Sequence, residues 1–121
     1  MELSAITLDC ADPLALADFY HRATGLPLHP ANRPDFAGLQ RDGGLLLGFQ
    51  RVDDYRAPEW PGQTVPQQVH VDFDVDDLAA TAARLLALGA TRPEPQRDPD
   101  RFLVLIDPAG HPFCLCPRRA G

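Results

Sequence analysis

Apolar and polar positions follow the same order twice along this chain. Residues 5–25, AITLDCADPLALADFYHRATG, and residues 70–89, HVDFDVDDLAATAARLLALG, each run from an alternating strand through an Asp to an apolar-periodic helix and a Gly. Each copy is followed by a turn-centred hairpin pattern, at residues 42–44 and at residues 107–110. The copies are offset by about 65 residues, which is too long for a solenoid repeat. The pattern therefore predicts a duplicated β-α-β-β module, of the kind that encloses something between its halves.

Both predicted helices carry start and stop signals. Asp12 suits the N-cap position of the first helix, and Gly25 suits its end. In the second copy Asp76 or Asp77 caps the helix and Gly89 closes it. The apolar residues of each helix recur at helical spacing, at Leu16, Phe19, Tyr20 and Ala23 in the first and at Leu78, Ala82, Leu85 and Leu86 in the second.

The predicted strands place apolar and polar residues on opposite faces, because successive side chains of a strand alternate. The apolar face can pack under the helices, and the other face carries His70, Gln50, Thr7, three carboxylates and two thiols. An antiparallel sheet can simply show such a face to water. His, Gln and Cys are unusual choices for a solvent face, so we favour the wall of a cleft.

Length and charge narrow the class of protein. We predict one domain over residues 1–121, with module one at about 1–56 and module two at about 67–121, joined by a proline-containing loop at 52–66. A net charge of −6 argues against nucleic-acid binding, which depends on a basic face. No apolar run approaches a membrane span and the N-terminus does not resemble a signal peptide, so we predict a cytoplasmic protein. The 3 cysteines are an odd number, unlike a secreted disulfide scaffold, and we expect them to be reduced.

Three segments, ADPLALADFY, HVDFDVDDL and DPAGHPFCL, resemble the vicinal oxygen chelate superfamily, which includes glyoxalases, bleomycin-resistance proteins and extradiol dioxygenases. The stretch QRVDDYRAPEWP…QQVHVD further resembles a subgroup of short glyoxalase-like proteins. The resemblance covers nearly the whole chain. It implies an α+β fold of two tandem βαβββ modules that form an open, barrel-like cleft, commonly in a homodimer.

The resemblance also implies where a metal would be held, with two ligands from each module. The first-strand position of module one is Ala5, which cannot ligate, and its last-strand position falls at or near Gln50. In module two the positions are His70 and Cys114, where a Glu is usual. Cys114 is soft and favours Zn over Ni, Mn or Fe. We therefore expect protein purified without added metal to contain well under one equivalent.

Without a metal, His70 is a candidate general base and Asp72 can orient it from the same strand face. A satisfied histidine without catalytic function is the alternative. Cys114 could act as a nucleophile, but no basic residue nearby in sequence would lower its pKa, so packing is the favoured interpretation. Tyr55 and Trp60, on the loop between the modules, are either buried anchors or an aromatic lid. The full set of candidate ligand-binding residues is Thr7, Asp9, Gln50, Tyr55, Trp60, His70, Asp72, Asp74 and Cys114.

These observations favour a glyoxalase-like or bleomycin-resistance-like protein that binds a small molecule and holds no catalytic metal. The alternative is a metal-dependent lyase or isomerase of glyoxalase type with the altered ligand set Gln50, His70 and Cys114. Asp9, Asp72 and Asp74 share the polar face and would attract a cationic metabolite or antibiotic. Arg side chains of the loops could instead neutralise them. We expect a homodimer.

Overall fold

The computed structural model of the chain describes residues 1–118. The chain divides into two compact units, Met1–Ala57 and Pro58–Gly121, called the first and the second unit below. Each unit has the same order of elements, a strand, a helix and then two further strands. No helix among residues 1–118 is both long enough and apolar enough to cross a membrane.

The first unit contains β1 (Ala5–Cys10), α1 (Pro13–Thr24), β2 (Phe36–Leu39) and β3 (Leu46–Arg51). Its three strands lie in the order β1-β3-β2, with β3 parallel to β1 and antiparallel to β2. Leu28 also forms an isolated antiparallel bridge to Leu39. The strand directly after the helix is thus reduced to a single bridge.

The second unit repeats this arrangement with β4 (Val71–Val75), α2 (Leu78–Ala87), β5 (Leu103–Ile106) and β6 (Pro112–Pro117). The order is β4-β6-β5, again with a parallel and an antiparallel pair, and Thr91 bridges to Ile106. The predicted α+β class with two βαβββ-like modules is therefore confirmed.

Both helices begin where a capping side chain satisfies an exposed backbone donor. The side chain of Asp12 accepts a hydrogen bond from the Ala15 N–H at 3.2 Å, and that of Asp77 accepts one from the Ala80 N–H at 3.0 Å. α1 ends at Gly25, whose φ of 76° lies in the left-handed region that glycine adopts without strain. The helix boundaries predicted from the caps are confirmed.

Each helix packs on the apolar face of its own sheet. In the first unit the ring of Tyr20 stacks on that of Phe49 with centroids 5.4 Å apart, and Leu8 and Leu16 are buried beside them. In the second unit Leu85 of α2 and Phe113 of β6 are buried. Strand alternation predicts these faces correctly.

β6 departs from simple alternation because it is buried on both faces. Phe113 and Leu115 are buried on one side, and Cys114, on the other side, is only 5% exposed. β6 is also the central strand of its sheet, with a hydrogen-bonded neighbour on each edge. The thiol of Cys114 is therefore on the polar side of the sheet but buried below its surface.

Gly38 and Gly48 face each other across β2 and β3 and test the packing of the first unit. A Cβ at Gly38 would lie 2.8 Å from the backbone oxygen of Leu47, whereas one at Gly48 would lie 2.8 Å from the ring tip of Phe36. Backbone cannot move aside as a ring can.

We expect Gly38→Ala to cost about 1–3 kcal/mol of unfolding free energy, and Gly48→Ala to cost less. Urea denaturation measures both, and an equal or larger loss for Gly48→Ala would contradict the packing described.

Candidate functional site

The second unit brings three chemically active side chains together on the polar face of its sheet. His70 immediately precedes β4, and Asp72 lies two residues further along, so both point to the same side. Parallel pairing of β4 with β6 sets Asp72 opposite Cys114. We call His70, Asp72 and Cys114 the His-Asp-Cys cluster.

The distances within the cluster are those of direct contact. His70 Nε2 lies 2.7 Å from Cys114 Sγ and 3.3 Å from an Oδ1 oxygen of Asp72. One ligand atom from each of the three residues lies within 4.8 Å of the other two. The His70 side chain is 30% exposed and that of Asp72 is 66% exposed, so the cluster runs from the buried thiol to a solvent-accessible carboxylate. The predicted pairing of His70 with Asp72 is present in the structure.

His70 Nε2 and Cys114 Sγ form a hydrogen bond whose donor depends on the tautomer of the ring. The Asp72 carboxylate can only accept hydrogen bonds, and a side-chain hydrogen bond with Asp72 is one of the causes that raise the pKa of Cys114. Oδ1 of Asp72 also faces His70 Nε2, so the carboxylate favours the tautomer with the proton on Nε2.

Cys114 is held as a thiol. Burial, followed by repulsion from the negative charge of Asp72, raises the pKa of Cys114 from 9.0 to about 12. Burial also raises the pKa of Cys116. Because the thiolate is the nucleophilic form, neither side chain is poised for attack. Besides its packing, Cys114 forms a hydrogen bond with His70.

The second unit contains a pocket of about 640 Å³ that borders the cluster at Asp72 and Cys114. Its lining consists of Asp72, Arg101, Phe102, Cys114, Cys116 and Pro117. Sequence analysis did not identify Arg101 or Phe102, because they lie at the end of a polar loop with no periodicity. Their position before β5, which pairs with β6, is the one signal that could have placed them near Cys114.

The other predicted site residues of the second unit lie outside this contact group. Asp74 is exposed on the same face of β4 and stands opposite Cys116 in the register. Trp60 is half-buried on the loop that precedes β4. Its proposed action as a lid stays a prediction.

In the first unit the predicted residues occupy one sheet face without forming a comparable cluster in the interactions that the structure describes. Thr7 stands opposite Gly48, and Asp9 stands opposite Gln50. Thr7 and Gln50 are exposed, and Asp9 is half-buried. Tyr55 is half-buried in the loop after β3.

The register locates the last-strand position of the first unit more closely. Thr7 in β1 corresponds to Asp72 in β4, and its partner Gly48 therefore corresponds to Cys114. Gln50, at or near which this position is expected, lies two residues further along β3. The ring of Phe36 covers Gly48 so closely that a Cβ there would lie 2.8 Å from it.

The residues present do not fit the metal site that the resemblance implies. Ala5 and Gly48, at the two equivalent positions of the first unit, offer no side-chain donor. In the second unit Cys114 offers sulfur where a hard metal requires oxygen. A four-ligand site with two ligands from each module cannot form from these side chains.

Comparison with known proteins agrees with the duplicated fold. The family model described as a glyoxalase-like domain matches residues 5–116. The chain belongs to the glyoxalase-like domain family. This places it in the vicinal oxygen chelate superfamily, as its sequence motifs indicate.

One curated relative is named "Putative glyoxylase CFP32", from Mycobacterium bovis. It is 39% identical over 105 residues, which cover 84% of this chain and 38% of the relative. The same name and figures apply to a protein of Mycobacterium tuberculosis. The glyoxalase-like chain thus spans well under half the length of the curated relatives it matches.

Solved structures show the same fold at low sequence identity. A glyoxalase/bleomycin resistance protein/dioxygenase family enzyme from Burkholderia phytofirmans superposes with a TM-score of 0.73 at 20% identity, covering 97% of this chain and 98% of that one. The bleomycin-binding protein of Streptomyces verticillus, solved with copper(II)-bleomycin, gives 0.59 at 19% identity, covering 98% of each.

The raised pKa of Cys114 predicts slow alkylation. A shift from 9.0 to about 12 lowers the thiolate fraction near pH 7 by about 1000-fold. We expect iodoacetamide to modify Cys116 before Cys114, and Asp72→Asn to accelerate Cys114 because it removes the carboxylate that disfavours the thiolate. Peptide mapping by mass spectrometry measures each site separately. Modification of Cys114 at the rate of an ordinary exposed cysteine would contradict the assignment of a buried, carboxylate-facing thiol.

Proposed function

We propose that the domain binds a small molecule in the cavity of the second unit and holds it against the His-Asp-Cys cluster. The observation that carries this proposal is that Asp72 and Cys114, both in contact with His70, line a pocket of about 640 Å³. A cavity of this volume is in the range typical of small-molecule sites, and a few convergent polar groups fix ligand orientation.

The cluster can supply acid–base chemistry without a metal. With its proton on Nε2, the ring would face the Asp72 carboxylate at 3.3 Å, which would stabilise the imidazolium that forms when Nδ1 takes a proton. Cys114 Sγ contacts the same nitrogen at 2.7 Å. A ligand that reaches from the pocket to Nδ1 with an acidic proton would be deprotonated there, and one that does not would simply be bound.

The charge of the site favours a cationic ligand. Asp72 and Asp74 lie on one face of β4, and both are exposed to an approaching molecule. Arg101 lines the same pocket and offsets one of these two charges, so one negative charge is left for a ligand. The chain as a whole carries a net charge of −6. An amine- or guanidine-bearing metabolite or antibiotic is therefore the ligand class that we propose, and the bleomycin-binding neighbour shares this fold.

A second candidate function is a metal-dependent lyase or isomerase of glyoxalase type. Three ligand atoms of different chemistry within 4.8 Å of one another favour it. In that case Asp72 takes the place of Gln50 in the altered ligand set, beside His70 and Cys114. Ligand binding and activity assays on chelator-treated and on metal-loaded protein separate the two candidates, because only the second requires a bound metal.

A homodimer and a cytoplasmic location complete the proposal. Each three-stranded sheet has outer strands, and exposed strand edges favour pairing or covering by another surface. A symmetric pair is the commonest solution among soluble oligomers.

The cationic-ligand proposal predicts a specific loss on Asp72→Asn. We expect this change to weaken binding of an amine-bearing compound about tenfold while the fold is kept, because it removes one charge next to the ligand. Glu2→Gln removes the same charge at the exposed N-terminus and is the matched control. Calorimetry with bleomycin and with pairs of amines and their N-acetylated analogues measures the effect.

Salt provides an independent check of the same proposal. Affinity should fall as ionic strength rises, because exposed charges are screened. Preference for the acetylated analogues, or equal losses in Asp72→Asn and Glu2→Gln, would eliminate the cationic-ligand proposal.

The dimer proposal predicts about twice the chain mass in solution. Light scattering at tens of micromolar should report roughly 27 kDa, since the chain mass is 13.3 kDa. A single species at the chain mass would show that the sheet edges are satisfied within one molecule.

A further inference from the structure

Asp72 gives the second unit a set of donors that the family pattern does not contain. The family positions supply only His70 and Cys114 in this unit, whereas the structure adds a carboxylate between them. One nitrogen, one oxygen and one sulfur atom then converge without any contribution from the first unit. The second unit therefore offers three donors by itself, although the first unit lacks the two that the family pattern requires.

The chemistry of the three donors selects a soft or borderline ion. Thiolate and imidazole ligands favour zinc and other d10 ions. Harder ions such as manganese favour sites built from oxygen ligands. Zinc sites that act on ligands commonly use three protein donors and leave a fourth position open. Two of the three donors, Asp72 and Cys114, also line the pocket of the second unit, so an ion held there would be accessible to a ligand in that pocket.

The distances allow this coordination with a small adjustment. Typical zinc bond lengths place adjacent tetrahedral ligand atoms about 3.3–3.6 Å apart. Nε2 of His70 and Oδ1 of Asp72 are already 3.3 Å apart. Nε2 and Cys114 Sγ, at 2.7 Å, must separate by somewhat under 1 Å, which a change of side-chain torsion can provide.

We infer that the second unit alone binds one zinc-class ion through His70 Nε2, the Asp72 carboxylate and Cys114 Sγ. The thiol proton passes to solvent, and the imidazole proton moves from Nε2 to Nδ1; no electron is transferred. The ion therefore removes the basic Nδ1 that acid–base chemistry would use. Ion binding and metal-free catalysis by His70 exclude each other.

Cobalt(II) is the probe that tests this inference, since it takes zinc sites and its absorption reports thiolate coordination. Full-length protein stripped with chelator should bind one equivalent, with a thiolate charge-transfer band, and zinc should displace the cobalt. His70→Ala, Asp72→Asn and Cys114→Ser should each weaken binding by at least the ~10–100-fold that loss of a ligand-supporting group costs. The band should disappear in Cys114→Ser.

Cys10→Ser is the matched thiol control, because Cys10 is fully buried in the first unit. It should leave both the stoichiometry and the band unchanged. Thermal melts confirm that each variant is folded. Absence of binding, an unchanged band in Cys114→Ser, or loss of the band in Cys10→Ser would overturn the inference.

Ion binding is measured without any small molecule, and small-molecule binding is measured on chelator-treated protein. Failure of ion binding therefore leaves the ligand-binding proposal standing, whereas ion binding restricts metal-free acid–base chemistry at His70 to the chelator-treated protein.

Discussion

Parallel pairing of the first and last strands of each unit is the constraint on which the rest of the structure depends. Two parallel neighbours require a long connection between them, and here that connection contains the helix and the strand that becomes the other outer partner. Because β4 and β6 run in the same direction, one register fixes which residues face each other along their whole length. That register sets Asp72 against Cys114 and so creates the His-Asp-Cys cluster.

The two units share one fold but carry different side chains at the corresponding positions of their sheets. In the second unit the paired positions hold a carboxylate and a thiol, with an imidazole beside them. In the first unit the corresponding positions hold Thr7 and Gly48, and the ring of Phe36 fills the space above the glycine. The first unit thus retains the fold while replacing donors with packing. Candidate chemistry is concentrated in the second unit as a consequence.

Patterns within short segments predict the helices and strands well. They do not predict which residues stand opposite each other on strands that are far apart in the sequence. The caps at Asp12 and Asp77 and the alternation of β1 and β4 are properties of short segments, so the sequence shows them directly. The pairing of His70 with Asp72 is also local, since the two lie on one strand. The partnership of Asp72 with Cys114 spans 42 residues and depends on hairpin length. Local patterns alone therefore do not show that Asp72 stands opposite Cys114, nor that Gly48, two residues before Gln50, occupies the corresponding position of the first unit.

The central claim is that Asp72 fixes the proton of His70 on Nε2 and leaves Nδ1 as the base. Long-range ¹⁵N–¹H correlation spectra of the His70 ring in chelator-treated protein, at a pH where the ring is neutral, test it most directly. The account predicts a protonated Nε2 and a bare Nδ1, with Asp72→Asn shifting the ring toward a mixture of tautomers. A ring protonated on Nδ1 in the metal-free protein would contradict it.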